Sequence, residues 1–247
     1  MNDSTFTELD QLTGEAARLG VALTNSQIDL IGRYCLKLKE YNLHTNLVGN
    51  AELAVVLKDH VLDSLSLLPL LEANPKGKKL IDIGTGAGFP GLILAIANER
   101  LKISLVDSVG KKTRFLEETI SHLNLEERVE ALNVRAEELC HYDDFRALYD
   151  YVTCRAVGNT AMALELMAPF LKKGGLALLQ KTSQQSLLDE PLATQNARRV
   201  GLSLTKTVKL DQAILGKDRA VMIFQQTALC PPMYARPAAQ FKKTPLF

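Results

Sequence analysis

Before residue 80 the apolar positions recur at helical spacing. In SQIDLIGRYCLKLKEY (26–41), Ile28, Ile31, Leu36 and Leu38 fall near one face, with Ser26 as the expected cap. The segment 51–73 continues with Leu53, Val56, Leu57 and Val61, then an apolar stretch to Leu71. EANPKGKK (72–79) carries Pro, Gly and three lysines and reads as a surface connection. Beyond it the pattern alternates. KLIDIG (79–84), KISLVDS (102–108), VEALNV (129–134), YDYVTCRAV (149–157), LALLQ (176–180), SLTKTVKL (203–210) and AVMIFQQ (220–226) read as strands. Helical spacing fills 89–100, 111–125, 160–175 (stopped by Gly174 and Gly175) and the region around 184–200. Strand alternating with helix predicts an α/β fold, a mostly parallel seven-stranded sheet covered on both faces. The tail 231–247 holds four of the nine prolines and reads as irregular, with its basic side chains free to meet a partner. The expected division is a helical extension over 1–75, a sheet domain over 76–230 and a basic tail over 231–247.

Composition narrows the setting. With 47% hydrophobic residues in 247, the chain can bury a substantial core. No apolar run approaches the roughly 18 residues that span a bilayer. The polar, acidic start MNDSTFTELDQ has no basic n-region and no apolar h-region, so no secretory signal is expected. Cys35, Cys140, Cys154 and Cys230 form no C-x-x-C pair, against structural zinc and against a disulfide framework. The expectation is a cytoplasmic protein without a metal. The net charge of +1 conceals an asymmetry: −2 over 1–79, −5 over 80–169 and +8 over 170–247. A basic final third suits a polyanionic partner as well as it suits a solvated face. Arg198, Arg199, Lys206, Lys209, Lys217, Arg219, Arg236, Lys242 and Lys243 are the candidate phosphate contacts.

Candidate chemistry concentrates in DIGTGAGFPG (82–91), a glycine-rich turn between a strand and a helix. Such a turn at the carboxyl edge of a parallel sheet lies beneath a nucleotide. A P-loop would need Lys and Ser/Thr after its last glycine, and Leu92 and Ile93 stand there instead. A dinucleotide fingerprint fits poorly from Gly84 and Gly86, because Phe89 takes the third glycine's place. Started at Gly86 and Gly88 it recovers Gly91, yet nothing else resembles a dehydrogenase. Asp82 just before the loop would repel a pyrophosphate and suits the cationic end of S-adenosylmethionine. Asp107, ending the second strand, is placed to accept from ribose hydroxyls; the alternative is a cap for the following helix. Ala136 and Glu137, just past the third strand, lie where an adenine would.

Read end to end, YNLHTNLVGN (41–50), HVLDSL (60–65), LIDIGTGAGFPG (80–91), LVDSVGKKTRFL (105–116), RAEEL (135–139), YDYVTCRAV (149–157) and MYARPAAQFKKTPL (233–246) resemble the bacterial small-subunit ribosomal RNA methyltransferase G family, also called glucose-inhibited division protein B. The resemblance implies a class I S-adenosylmethionine-dependent methyltransferase, a Rossmann-like sheet with an N-terminal helical extension, that methylates N7 of a guanine in 16S rRNA. It implies cofactor contacts from Gly84, Phe89, Ala136, Glu137 and Arg155, with Asp107 at the ribose. Two positions depart from the family pattern: Lys181-Thr182 where Lys-Gly is usual, and Tyr234-Ala235-Arg236 where Tyr-Pro-Arg is usual.

Guanine N7 carries a free lone pair, so its methylation needs no strong base. The four histidines show no triad or metal spacing, and His60 reads equally as a packing residue. Arg155 and Lys181, at strand ends where substrate would arrive, are the candidate catalytic residues, against structural ion pairing. Asn46 and the Asp63-Ser64 pair read as capping or docking residues. The expected partner is 16S rRNA or the small ribosomal subunit, met by a monomer. Competing readings are a methyltransferase for another RNA, a protein or a small molecule, and a binding module without catalysis.

Overall fold

The computed structural model describes residues 3–71, 77–155 and 157–247. Most of the connection at 72–79, the boundary at 75/76, Ala156 and the side chain of Lys242 lie outside the described residues. The first helix, α1 (Asp3–Arg18), turns Leu9, Leu12 and Ala16 into the core. The second, α2 (Asn25–Thr45), is capped by Thr24 and not by Ser26. The Thr24 hydroxyl accepts from the Gln27 backbone N–H at 3.3 Å, and the Gln27 side-chain oxygen Oε1 accepts from the Thr24 backbone N–H at 2.8 Å. This reciprocal box satisfies two donors that a helix start leaves open. Asn46 closes α2 in the left-handed conformation that Asn tolerates.

The run 51–73 is not one regular helix. α3 (Leu53–Val56) passes into a π-helical stretch (Leu57–Leu62), which continues as α4 (Asp63–Leu65); a 3₁₀ turn comes next at Leu68–Leu70 around Pro69. A π turn widens the helix by one residue and rotates the next turn about the axis. Hydropathy spacing does not reveal that shift.

Seven strands form one sheet: β1 (Lys79–Ile83), β2 (Lys102–Asp107), β3 (Val129–Asn133), β4 (Tyr149–Arg155), β5 (Leu171–Lys181), β6 (Leu202–Lys209) and β7 (Ala220–Gln226), in the order β3-β2-β1-β4-β5-β7-β6. The first five are parallel, and β7 runs antiparallel to both β5 and β6. The connections α5 (Gly91–Ala97), α6 (Gly110–His122), α7 (Ala136–Leu139), α8 (Thr160–Met167), α9 (Ser183–Asn196) and α10 (Gln212–Leu215) precede a last helix, α11 (Ala238–Lys243). The helical pattern over 160–175 ends early: Pro169 enters a 3₁₀ turn, and β5 already starts at Leu171.

Strand alternation divides the apolar side chains between two cores. Leu80, Ile103, Leu105 and Tyr151 face the N-terminal helices, α5 and α6. Ile81, Ile83, Val106 and Val152 face α7, α8 and the tail. The N-terminal helices thus share a core with the sheet. The tail is ordered against it: Tyr234, Ala235, Phe241 and Leu246 are buried. Arg146 donates to the carbonyls of Cys140, Cys230, Pro231 and Tyr234, and Arg199 to that of Leu246.

Candidate functional site

Strand order reverses between β1 and β4, and the carboxyl ends of parallel strands at such a switch point leave a crevice. The glycine loop lies there. Gly84 follows β1 with φ +69°, and a Cβ at Gly84 would stand 2.4 Å from Cγ2 of Val157. Glycine is required at that position by conformation and by space alike. The loop is held from below. Asp82 is fully buried, accepting from the Gly91 N–H and from the Thr153 hydroxyl, each at 2.9 Å. Burial pushes its carboxyl up to about 6, against the pull of these hydrogen bonds. Asp82 therefore anchors the loop to α5 from the core side. Tyr34 on α2, also fully buried, donates to the Ala87 carbonyl at 2.8 Å, so the N-terminal lobe braces the loop.

Two cavities flank Val157. The first, about 290 Å³, is lined by Gly84, Asp107, Ala136, Glu137, Val157 and Ala238, among others. Asp107 holds its wall: Oδ1 accepts from the Val109 N–H at 2.9 Å and Oδ2 from the Gly86 N–H at 3.0 Å. Lys112 Nζ approaches Oδ2 as well, at 3.5 Å; of the about four acceptor sites of a carboxylate, one remains. Asp107 thus shapes the turn into α6 and lines the cavity as well. Glu137 is ion-paired with Arg135 at 3.6 Å. The structure brings Gly84, Asp107, Ala136 and Glu137 together on one cavity. Gly86 does not line it but holds Asp107 through its N–H, and Gly88 packs against Leu92 and Leu116. Phe89 is buried at the lobe interface, with ring centroids 5.6 Å from Tyr34 and 4.8 Å from His60.

The second cavity, about 460 Å³, is lined by Asp59, His60, Arg155, Val157, Gln180, Lys181, Lys217 and Arg219, among others. Each of its four cations faces a carboxylate. Arg155 meets Asp63 at 3.0 Å, Arg219 meets Asp63 at 3.4 Å, Lys181 meets Asp189 at 3.9 Å, and Lys217 pairs with Asp59. Arg155 also lies 5.3 Å above the Phe89 ring and contacts His60 Nδ1 at 3.1 Å. Burial, then the Arg155 charge, lowers the His60 imidazole to about 4. The π-helical stretch is what presents Asp59, His60 and Asp63 to the ends of β4, β5 and β7.

Sequence reasoning brought Arg155 and Lys181 to this place and read Asp63 as a capping or docking residue and His60 as a packing residue, without their partners; the signal was the HVLDSL motif, whose geometry is long-range. The tail departs from its expected role. Arg236 is not free: its guanidinium bonds both oxygens of Glu165, a residue 1% exposed, at 2.6 and 2.5 Å. Arg199 is likewise engaged with the tail carbonyl.

Comparisons with known proteins agree with this architecture. The family model for rRNA small subunit methyltransferase G matches residues 27–213. The chain is 37% identical over 230 residues to the ribosomal RNA small subunit methyltransferase G of Desulfitobacterium hafniense, covering 93% of each chain. It is 39% identical over 230 residues to that of Fusobacterium nucleatum, covering 93% of this chain and 96% of the relative. Among solved structures, a predicted O-methyltransferase, protein Atu636 of Agrobacterium tumefaciens, superposes with a TM-score of 0.50 at 17% identity, over 66% of this chain and 80% of that one. At that identity the likeness concerns the class I methyltransferase fold alone. With a family model spanning most of the chain, and relatives matched over nearly their whole length, the chain belongs to the rRNA small subunit methyltransferase G family.

Proposed function

We propose that the protein methylates N7 of a guanine in 16S rRNA, with S-adenosylmethionine as donor. The observation that carries this reading is the meeting of the two cavities at Val157. The smaller cavity fits the donor. Gly84 leaves space that any Cβ would fill, Asp107 offers an acceptor for a ribose hydroxyl, and Ala136 with Glu137 borders the adenine position. Asp82, Gly88 and Phe89 hold the loop from the core side, and the Gly86 N–H fixes Asp107. The larger cavity receives the base and its phosphate, with Arg155 and Lys181 orienting them and Arg219 beside them.

Bound S-adenosylmethionine supplies an electrophilic methyl group: the N7 lone pair forms the new C–N bond as the C–S bond breaks and its electrons return to sulfur. No proton has to leave N7, so the protein's task is in-line positioning. The paired cations of the larger cavity serve this step. A guanine gains positive charge on methylation, and four unpaired cations around it would oppose that gain. Carboxylates at Asp59, Asp63 and Asp189 offset them while leaving N–H donors for phosphate. The partner is 16S rRNA or the small subunit that contains it, met by a monomer in the cytoplasm, through the basic surface of the final third.

The test is incubation with labelled S-adenosylmethionine and either naked 16S rRNA, small subunits or rRNA from a deletion strain, and then mapping of the product. Label at guanine N7 is expected. Label on protein, or on no RNA, would overturn the reading.

A further inference from the structure

His60 is the residue of the larger cavity whose chemistry the paired charges leave unexplained. Its Nδ1 lies 3.1 Å from an Arg155 guanidinium nitrogen. A guanidinium donates and never accepts, so Nδ1 holds the lone pair and a neutral ring carries its proton on Nε2. The ring stacks on Phe89 with 24° between planes, which fixes the direction of that N–H. His60 lines the cavity, and among the described residues none engages Nε2. Burial disfavours a proton on the ring most, and the Arg155 charge, with Lys217 and Arg219, adds to it against the opposing pull of Asp59. The Gln180 and Gln185 amides that also line the cavity donate to Asp63 and Asp189, so the His60 Nε2–H is an uncharged donor left uncommitted, of defined direction and close to the loop that meets the smaller cavity.

On the edge that carries N7, guanine presents O6 as an acceptor, whereas adenine presents an amino group at the same place. We propose that the His60 Nε2–H donates a hydrogen bond to O6 of the target guanine, so that His60 selects guanine over adenine and leaves the neighbouring N7 lone pair open to the donor. An uncharged donor suits this role, because O6 stays an acceptor after methylation while a cation beside the product would be repelled by it. This inference rests on the N7 reading above and names the residue that reads the base.

The experiment uses the full-length protein and small subunits reconstituted on 16S rRNA ligated around a synthetic segment. At the target position that segment carries guanine, inosine (N7 and O6 kept, 2-amino group removed) or 2-aminopurine (N7 kept, O6 removed). Guanine and inosine are expected to react alike, with kcat/KM for 2-aminopurine lower by about 10- to 100-fold. In His60→Phe, which keeps a ring on Phe89 and loses the donor, the guanine to 2-aminopurine ratio is expected to fall toward one. In His60→Gln, which restores an N–H, part of the ratio returns. Equal wild-type rates on guanine and 2-aminopurine overturn the proposal without any variant. So does an unchanged ratio in a His60→Phe protein that keeps the wild-type thermal midpoint. Product mapping separates the two levels: methylation at an atom other than N7 sinks the underlying reaction, whereas N7 product without O6 discrimination sinks the role of His60 alone.

Discussion

Asp63 and Arg155 stand 92 residues apart in the chain and 3.0 Å apart in the fold. One opens α4 directly after the π-helical stretch of the N-terminal lobe and the other ends β4, so their pair fastens the lobe to the carboxyl edge of the sheet. Asp63 also faces Arg219, and its backbone carbonyl accepts from Gln180 at 3.1 Å. Asp63→Ala leaves two guanidinium groups without their carboxylate. Breaking a buried pair from one side costs about 3–5 kcal/mol; Arg155 is 21% exposed, so about 2–3 kcal/mol is expected here. Urea denaturation of the variant measures it, and a midpoint equal to that of the wild type would show that the pair does not hold the lobe.

Gly84→Ala strains a left-handed residue by about 1–2 kcal/mol and drives a methyl group into Val157. The collision falls on the wall shared by both cavities. Calorimetry is expected to show S-adenosylmethionine affinity reduced by at least about tenfold, with the fold retained; Gly84→Asp abolishes binding. Unchanged affinity would mean that the donor does not lie against Gly84.

His60 and Asp82 give the stability a pH dependence of opposite sign. The imidazole falls from 6.5 to about 4 in the fold, so between those values the unfolded chain binds more protons. The stability from neutral His60 is fully present above about pH 6.5 and is lost as pH falls through 4. Asp82 is raised from 3.8 to about 6, so in the overlapping window its protonation favours the fold as pH falls. The two partly cancel in the wild type, and the difference between wild type and His60→Gln isolates the imidazole. That difference is expected to shift by about 2 kcal/mol against the wild type between pH 7 and pH 4, after allowance for partial exposure. Chemical denaturation at several pH values tests it; a flat difference would show that the imidazole takes up its proton in the fold as readily as in the unfolded chain.

The tail is a wall of the smaller cavity through Ala238, and the Arg236–Glu165 pair holds it there. Arg236→Ala leaves Glu165 buried and unpaired, at an expected cost of about 3 kcal/mol. Amide exchange over residues 234–246 should accelerate and S-adenosylmethionine bind more weakly, with the KM for rRNA much less affected. Weakened rRNA binding with unchanged donor affinity would instead return Arg236 to the phosphate contacts.

The seven strands, the mostly parallel sheet they imply, the glycine loop and the places of Asp107 and Ala136-Glu137 after their strands were legible in the linear chain, because each arises from local period or from a motif within a few residues; the strand order β3-β2-β1-β4-β5-β7-β6 was not. The basic final third was legible for the same reason, being a sum along the chain, but it suited a solvated face as well as a polyanion. Which side chains face a ligand was not legible. Asp82 reads as a cofactor contact until the sheet places it under the loop, and Phe89 until Tyr34, His60 and Arg155 enclose it. Arg236 reads as a phosphate contact until Glu165, 71 residues away, takes both its bonds. The π turn at Leu57–Leu62 is equally silent in hydropathy, yet it decides that Asp63 meets Arg155 and that His60 enters the cavity. Period and motif are properties of neighbours along the backbone. Partnering of charges depends on distances that exist only once the lobes have packed, and there the Coulomb energy of a few ångströms outweighs any preference written in the local chain.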